Sequence, residues 1–274
     1  MRTHIALAGL FVMSCARAGV SIEVERFNDS GERDSTITIQ VEHGKLRVDQ
    51  LDEEARRSAF IYDGRRVIDA NLSEHSYALI ERDQLEAAHR TANPQAWLRE
   101  QLLAEVPVQR RADSMRILSA PPVLPGLEGT LSIEPTAHAS RHAGIECRIY
   151  RVLIDGQARY EYCMAQGTAA TKLKDFVDAG REATDLLSEF FATLGAPWMK
   201  DTLRLYWTHV YGIEGVPLEL KELEGGAVIS EFRVKAIGFT DIAADVFEIP
   251  EKLHRRGVLD FSAPASALPA PDDE

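Results

Sequence analysis

A chain of 274 residues, 45% hydrophobic and 27% charged, has the composition of a globular protein with room for one large domain or two small ones. Its formal charge of −12 has the wrong sign for nonspecific nucleic-acid binding or for polybasic attachment to a membrane, both of which neutralise phosphate. Residues 1–18 have the layout of a secretory signal peptide. Arg2 supplies a basic start, and an apolar stretch of about nine residues from Ile5 to Met13 is too short to span a bilayer. Ala16 and Ala18 place small residues at both positions that a signal peptidase reads. Cleavage after Ala18 leaves about 256 residues and removes Arg2 and Arg17, so the charge becomes −14. A second route also fits: Val12 to Cys15 is similar to a lipoprotein box, in which Cys15 is lipidated. The first route predicts a periplasmic or secreted protein, and the second a membrane-anchored lipoprotein. Membrane contact is expected only through Cys15.

The expected domain runs over 19–261, ahead of a disordered tail at 262–274 rich in Ala, Pro and Asp. Its first part alternates with period two. Val20, Ile22 and Val24 share one face of a strand, and Ile37, Ile39 and Val41 share another. Leu46 and Val48 follow a turn at His43-Gly44, and Phe60 to Tyr62 and Val67-Ile68 flank a turn at Asp63-Gly64. With Tyr77 and Leu79 they predict an antiparallel meander with one face to be covered.

A helical insert is expected over about 82–118, with Asn93 as cap, Pro94 at a helix start and a break at Pro107. Its apolar stripe includes Trp97, Leu98, Leu102 and Leu103. Such a stripe is either ordinary core or a cover over an apolar cavity. Ala120 to Pro125 reads as a stiff connector. Strand patterns return at Thr130 to Ile133.

A hairpin with its turn at Asp155-Gly156 then carries the two cysteines left after cleavage, Cys147 and Cys163. A three-residue loop, Ile154 to Gly156, sets 147 opposite 163 and predicts a cross-strand disulfide, in keeping with an oxidising compartment. A two-residue turn sets Cys163 opposite Arg148 instead. Free thiols, or a metal site with His138 and His142, are the alternatives. No metal is expected.

A second helix is expected over about 168–194, with Leu173, Phe176, Ala183, Leu187, Phe190 and Leu194 on one face. Gly180 weakens it by about 1 kcal/mol relative to Ala. The last third returns to strands. Leu203, Leu205, Trp207, His209 and Tyr211 alternate, and Val216, Leu218 and Leu220 precede a turn at Gly225-Gly226. This order fits an α+β fold: a strongly curved antiparallel sheet with two amphipathic helical segments over its concave face.

Four stretches resemble a family of exported bacterial proteins of unknown function related to the lipoprotein-carrier (Lol-type) half-barrel fold. They are Gly44 to Asp49 with Phe60 to Gly64; Ala96 to Arg110; Ala143 to Tyr150 with Cys163; and Gly215 to Leu218 with Asp245 to Pro250. The resemblance implies the half-barrel and does not imply lipoprotein transport. The family's insert is often rich in methionine, whereas Met115 is the only methionine from 82 to 118 here.

No phosphate-binding glycine loop, nucleophile elbow, metalloprotease helix or dinucleotide fingerprint is present. The expectation is therefore a non-enzymatic envelope protein without a cofactor. It would bind a lipid, an acyl chain of a lipoprotein or another hydrophobic ligand in the half-barrel, with Trp97, Leu98, Leu102, Leu103 and Trp207 as lining. The alternative is an envelope structural or protein-interaction module with no small ligand. The sequence carries no sign of an oligomeric state.

Overall fold

The computed structural model describes residues 19–119, 130–196 and 213–260. The signal segment with Cys15, the connector at 120–125, the strand expected around Trp207 and the tail from 262 lie outside these residues.

The alternating segments form a meander of β1 (Val20–Phe27), β2 (Arg33–Glu42), β3 (Lys45–Asp52), β4 (Arg57–Tyr62), β5 (Arg66–Asn71) and β6 (Ser76–Glu81). Three helices follow: α1 (Arg82–His89), α2 (Pro94–Ala104) and α3 (Arg111–Ser119). A second run of strands comprises β7 (Leu131–His142), β8 (Ile145–Ile154) and β9 (Gln157–Ala165). Helices α4 (Gly167–Lys172) and α5 (Lys174–Leu194) lead to β10 (Val216–Glu224), β11 (Ala227–Phe239) and the short β12 (His254–Arg255). Among the described residues all twelve strands make one open sheet, ordered β12-β6-β5-β4-β3-β2-β1-β11-β10-β9-β8-β7. Every pairing is antiparallel except β12 with β6.

The curvature has a local cause. The ladders from β2 to β6 are in plain register, whereas every ladder from β7 round to the β1–β2 pair contains a bulge or register shift. An extra residue on one strand bends it and increases the local twist, so bulges on successive ladders roll the sheet. Four two-residue turns with positive φ at both positions close hairpins, at His43-Gly44, Ala143-Gly144, Asp155-Gly156 and Gly225-Gly226. Their handedness matches the twist of the strands they join.

Two local expectations change. The strand after the connector does not stop at Ile133 but runs to His142, through Pro135. It can do so because β7 is the last strand of the sheet among the described residues, where a missing N–H removes no described ladder bond on the outer side. Residues 136–138 bulge out opposite Ile149, and the Thr136 hydroxyl donates to the Ile149 carbonyl at 3.0 Å.

The cysteine hairpin also differs in register. Its turn has two residues, not three, so Ile154 pairs with Gln157. A shift between Val152 and Leu153 then moves the ladder by one, which places Cys147 opposite Ala165 and Cys163 opposite Ile149. The cysteines are diagonal neighbours on one face. The coiled sheet brings their Cα atoms to 5.2 Å, and their sulfurs are bonded.

Helix α5 lies over the concave face, with Phe176, Ala183, Phe190 and Leu194 turned inward. Phe190 and Phe191 pack edge to face at 5.5 Å. Tyr62 on β4 is buried beneath this helix, and its hydroxyl donates to Glu182 at 3.3 Å. Burial and the Glu182 charge together push the Tyr62 phenol above its ordinary pKa. Helix α2 packs on α5, with Asn93 capping its first turn through the Ala96 N–H. Its Arg99 donates to the Leu194 carbonyl at 2.8 Å, which places a cation at the C-terminal end of α5 where free carbonyls gather. Arg99→Met keeps the stem and removes the fork, and should cost about 1 kcal/mol in thermal denaturation.

The convex face of β4 to β6 carries a smaller core of Ala59, Ile61, Ile68, Ala70 and Leu79, covered by Ile242 and Phe247 of the C-terminal segment. That segment also clamps the helical layer, since Ser114 donates to the Leu259 carbonyl and Arg110 pairs with Asp260.

The turn between β4 and β5 depends on Asp63. Its Oδ1 accepts from the Arg65 and Arg66 N–H groups at 3.0 and 2.8 Å, and Oδ2 accepts from the Arg66 guanidinium. Burial pushes the carboxyl up, but these donors outweigh it and its pKa lies below the ordinary value. A depressed folded-state pKa contributes stability that is present above the unfolded value, about 3.9, and is lost as pH falls through the folded value. Asp63→Asn should therefore cost about 1 kcal/mol near neutral pH in urea unfolding, with the gap to the parent narrowing as pH falls below the unfolded-state value.

Candidate functional site

The sheet and α5 do not close completely on each other. Between them is a hollow of about 530 Å³, partly open as bounded by the described residues. Strands of the first meander contribute Ile22, Val24, Ile37, Ile39, Val48 and Phe60. The opposite arm contributes Tyr162, Leu218, Leu220, Phe232 and Val234. Register explains how these residues meet. Phe60 faces Val48, Val48 faces Ile39, Ile39 faces Ile22, and Val24 lies between Ile37 and Val234. Alternation thus places one apolar row per strand on the inner face.

The other wall is α5, and its sequence keeps the hollow open. Gly180, Ala183 and Thr184 lie at i, i+3 and i+4, so they share one helical face, and all three line the space. Larger side chains, Phe176 and Leu187, stand beyond them along the helix. The result is a notch in the middle of the wall. The Thr184 hydroxyl donates to the Gly180 carbonyl at 2.8 Å, so it makes no demand on a guest.

Glu219 is also at the wall, but its carboxylate is engaged by Lys221 at 3.2 Å and Arg233 at 3.9 Å. It pairs with Cys163 across the ladder, on the opposite face from Leu220 and Tyr162. Apart from Glu219 and the bonded Thr184 hydroxyl, the side chains described at the wall are apolar and shelter hydrocarbon from water.

Leu98 and Leu102 are fully buried in the main core, and Trp97 and Leu103 pack against it partly exposed. None of the four lines this hollow, because α2 rests on α5, and α5 lies against the sheet. Trp207 lies outside the described residues. The residues that shape the space were legible in part. Ile22, Val24, Ile37, Ile39 and Leu218 stood on the inner face by alternation. Of the small trio on α5, the sequence marked Ala183 on the apolar face and Gly180 as a weak point in the helix, and did not single out Thr184.

His142 lies beside the disulfide, where its ring and the two sulfurs offer ligand atoms within 4.8 Å of one another. His138, its expected companion, is exposed in the bulge at 136–138 and is not part of that group. With both sulfurs bonded to each other, neither thiolate is free to ligate a metal.

No family model matches the chain, and no curated protein matches it by sequence. Among solved structures, an uncharacterised conserved protein from Thermus thermophilus aligns over 88% of this chain and 91% of its own, at 9% identity and a TM-score of 0.42. A structure of MucB aligns over 87% of this chain and 59% of its own, at 15% identity and a TM-score of 0.36. The complex of MucA and MucB from Pseudomonas aeruginosa gives 87%, 58%, 15% and 0.38 in the same order. The chain thus spans less than two thirds of those MucB chains. Likenesses at such scores carry no inference about activity or partner.

Proposed function

We propose that this chain is a non-enzymatic protein of the cell envelope that holds a hydrocarbon guest, a lipid or the acyl chain of a lipoprotein, between its curved sheet and α5. The observation that carries the reading is the 530 Å³ apolar hollow faced by the small residues Gly180, Ala183 and Thr184. Its size falls in the range of small-molecule pockets. Filling it with hydrocarbon is favourable by about 0.8 kcal/mol per buried methylene. The signal-like layout of residues 1–18 and the disulfide support an envelope location. Among the described residues no helix is long and apolar enough to cross a membrane.

The test is organic extraction of protein purified from its native envelope, followed by lipid mass spectrometry, with displacement of a fluorescent fatty acid as a second measurement. A stoichiometric lipid and a displaceable probe are expected. An empty protein that also ignores the probe sinks the reading. A second reading, a protein-interaction module, is favoured by one observation: among the described residues β7 ends the sheet and is exposed along most of its length. Cross-linking that captures a protein at β7 without any lipid would select it.

A further inference from the structure

Cys147, Cys163 and His142 lie together, with Glu219 3.6 Å from the imidazole, where β7 to β10 meet the main core beside the hollow. We propose that reduction of the disulfide converts this cluster into a binding site for one Zn²⁺-class cation. The inference is independent of the hydrocarbon guest. Its basis is the convergence of three donors within 4.8 Å of one another, with the Glu219 carboxylate beside the imidazole. The sulfurs come from β8 and β9, the imidazole from β7, and the carboxylate from β10. Their side chains are sheltered, at 9% exposure for His142 and 8% for Glu219. The two cysteines are buried.

His142 Nε2 stands 3.6 Å from Glu219 Oε2 and 3.2 Å from the Ser140 hydroxyl. Lys221 and Arg233 are held by the other carboxylate oxygen, Oε1, so Oε2 is the one turned toward the imidazole. Two sulfurs and one nitrogen are three of the four ligands that Zn²⁺ takes tetrahedrally, and the fourth position is left for water beside Glu219. The lysine and arginine charges beside Glu219 offset part of the negative charge of two thiolates and a carboxylate.

The chemistry balances as follows. A dithiol donor passes two electrons and two protons to the sulfurs, the Sγ–Sγ bond breaks, and the donor leaves as its own disulfide. Zn²⁺ then displaces both thiol protons to solvent and takes the two thiolates and the His142 ring as ligands, with a water completing the set and the Glu219 carboxylate alongside. Access comes through β7. It ends the sheet, it is interrupted at 136–138, and its Ser140 carbonyl lies 3.7 Å from Cys147 Sγ, so fraying of this edge uncovers the sulfurs.

The experiment reduces the full chain anaerobically with a water-soluble phosphine, which takes oxygen from water and leaves as its oxide without competing for metal. Co²⁺ is then titrated as a spectroscopic probe and displaced with Zn²⁺. The expected result is one equivalent of Co²⁺ with thiolate charge-transfer and intense tetrahedral bands in the reduced protein, and none in the oxidised protein. His142→Ala should weaken binding at least tenfold, His138→Ala should leave it unchanged, and Glu219→Gln should weaken it several-fold. Absence of these bands in the reduced protein overturns the proposal. So does equal loss in the two histidine variants, because that is the behaviour of an unfolded chain collecting metal. Circular dichroism covers the case in which reduction unfolds the protein: recovery of the fold on adding Zn²⁺ supports the site, and failure to recover overturns it.

Discussion

The double variant Cys147→Ala/Cys163→Ala is expected to lose about 3 kcal/mol of unfolding free energy, the magnitude for a cross-link closing a loop of roughly this length. The cysteines are 16 residues apart in sequence. The arm they staple is thinly supported. Among the described residues, strands β7 to β9 adjoin the rest of the sheet through β10, reach the main core through Cys147, Cys163 and Ala165, and carry a small separate cluster of Val152, Tyr162, Met164 and Ile213. The first meander instead packs against the main core and its helices. The loss should appear as a lower urea midpoint with an unchanged slope. Amide exchange should accelerate in β7 to β9 before β2 to β6. A loss below about 1 kcal/mol, or uniform acceleration, would show that the ladder alone closes the hairpin.

Filling the notch in α5 should separate stability from ligand binding. Gly180→Leu/Ala183→Leu adds hydrocarbon where the helix faces empty space and removes a helical glycine that costs about 1 kcal/mol. The variant should be as stable as the parent or about 1 kcal/mol more stable, while copurifying lipid and fatty-acid binding fall about tenfold or more. Leu186→Ala is the counterpart. Leu186 is fully buried and does not line the hollow, so its truncation should cost about 2–5 kcal/mol and leave occupancy of the folded protein unchanged. A filled helix that still binds lipid would place the guest elsewhere. A filled helix that unfolds would mean that the space is too tight for the added side chains.

Much of the architecture was legible along the chain. Alternation at Val20, Ile22 and Val24 and at Ile37, Ile39 and Val41 is a property of each strand alone, because side chains point to opposite faces at every second residue. The places of the turns at His43-Gly44 and Asp155-Gly156 were legible for the same reason, because a tight turn depends on its own residues, although the second turn has two residues where three were expected. Asn93 and Pro94 marked the start of α2 through local capping chemistry.

Three features depended on contacts distant in sequence. Pro135 tells against a strand only if both neighbours must be bonded, and the position of β7 at the end of the sheet removed that requirement. The partners of Cys147 and Cys163 shifted because one irregularity near Val152 displaces every pair beyond it, and no local pattern fixes where a bulge falls. The lining of the hollow followed the layering of the helices. Leu98 and Leu102 have the apolar spacing of a cover, but α2 spends it on α5, while the smaller face of α5 meets the sheet.

The sequence by itself therefore determined which segments are strands, which are helices and which face of each is apolar, because those are short-range consequences of side-chain period and backbone angle. Only the tertiary structure decided that β1 pairs with β11, that His142 reaches the disulfide and that Gly180 opens a space. Each of these depends on how far the bulged sheet rolls, which is the sum of many small twists spread over strands far apart in the chain.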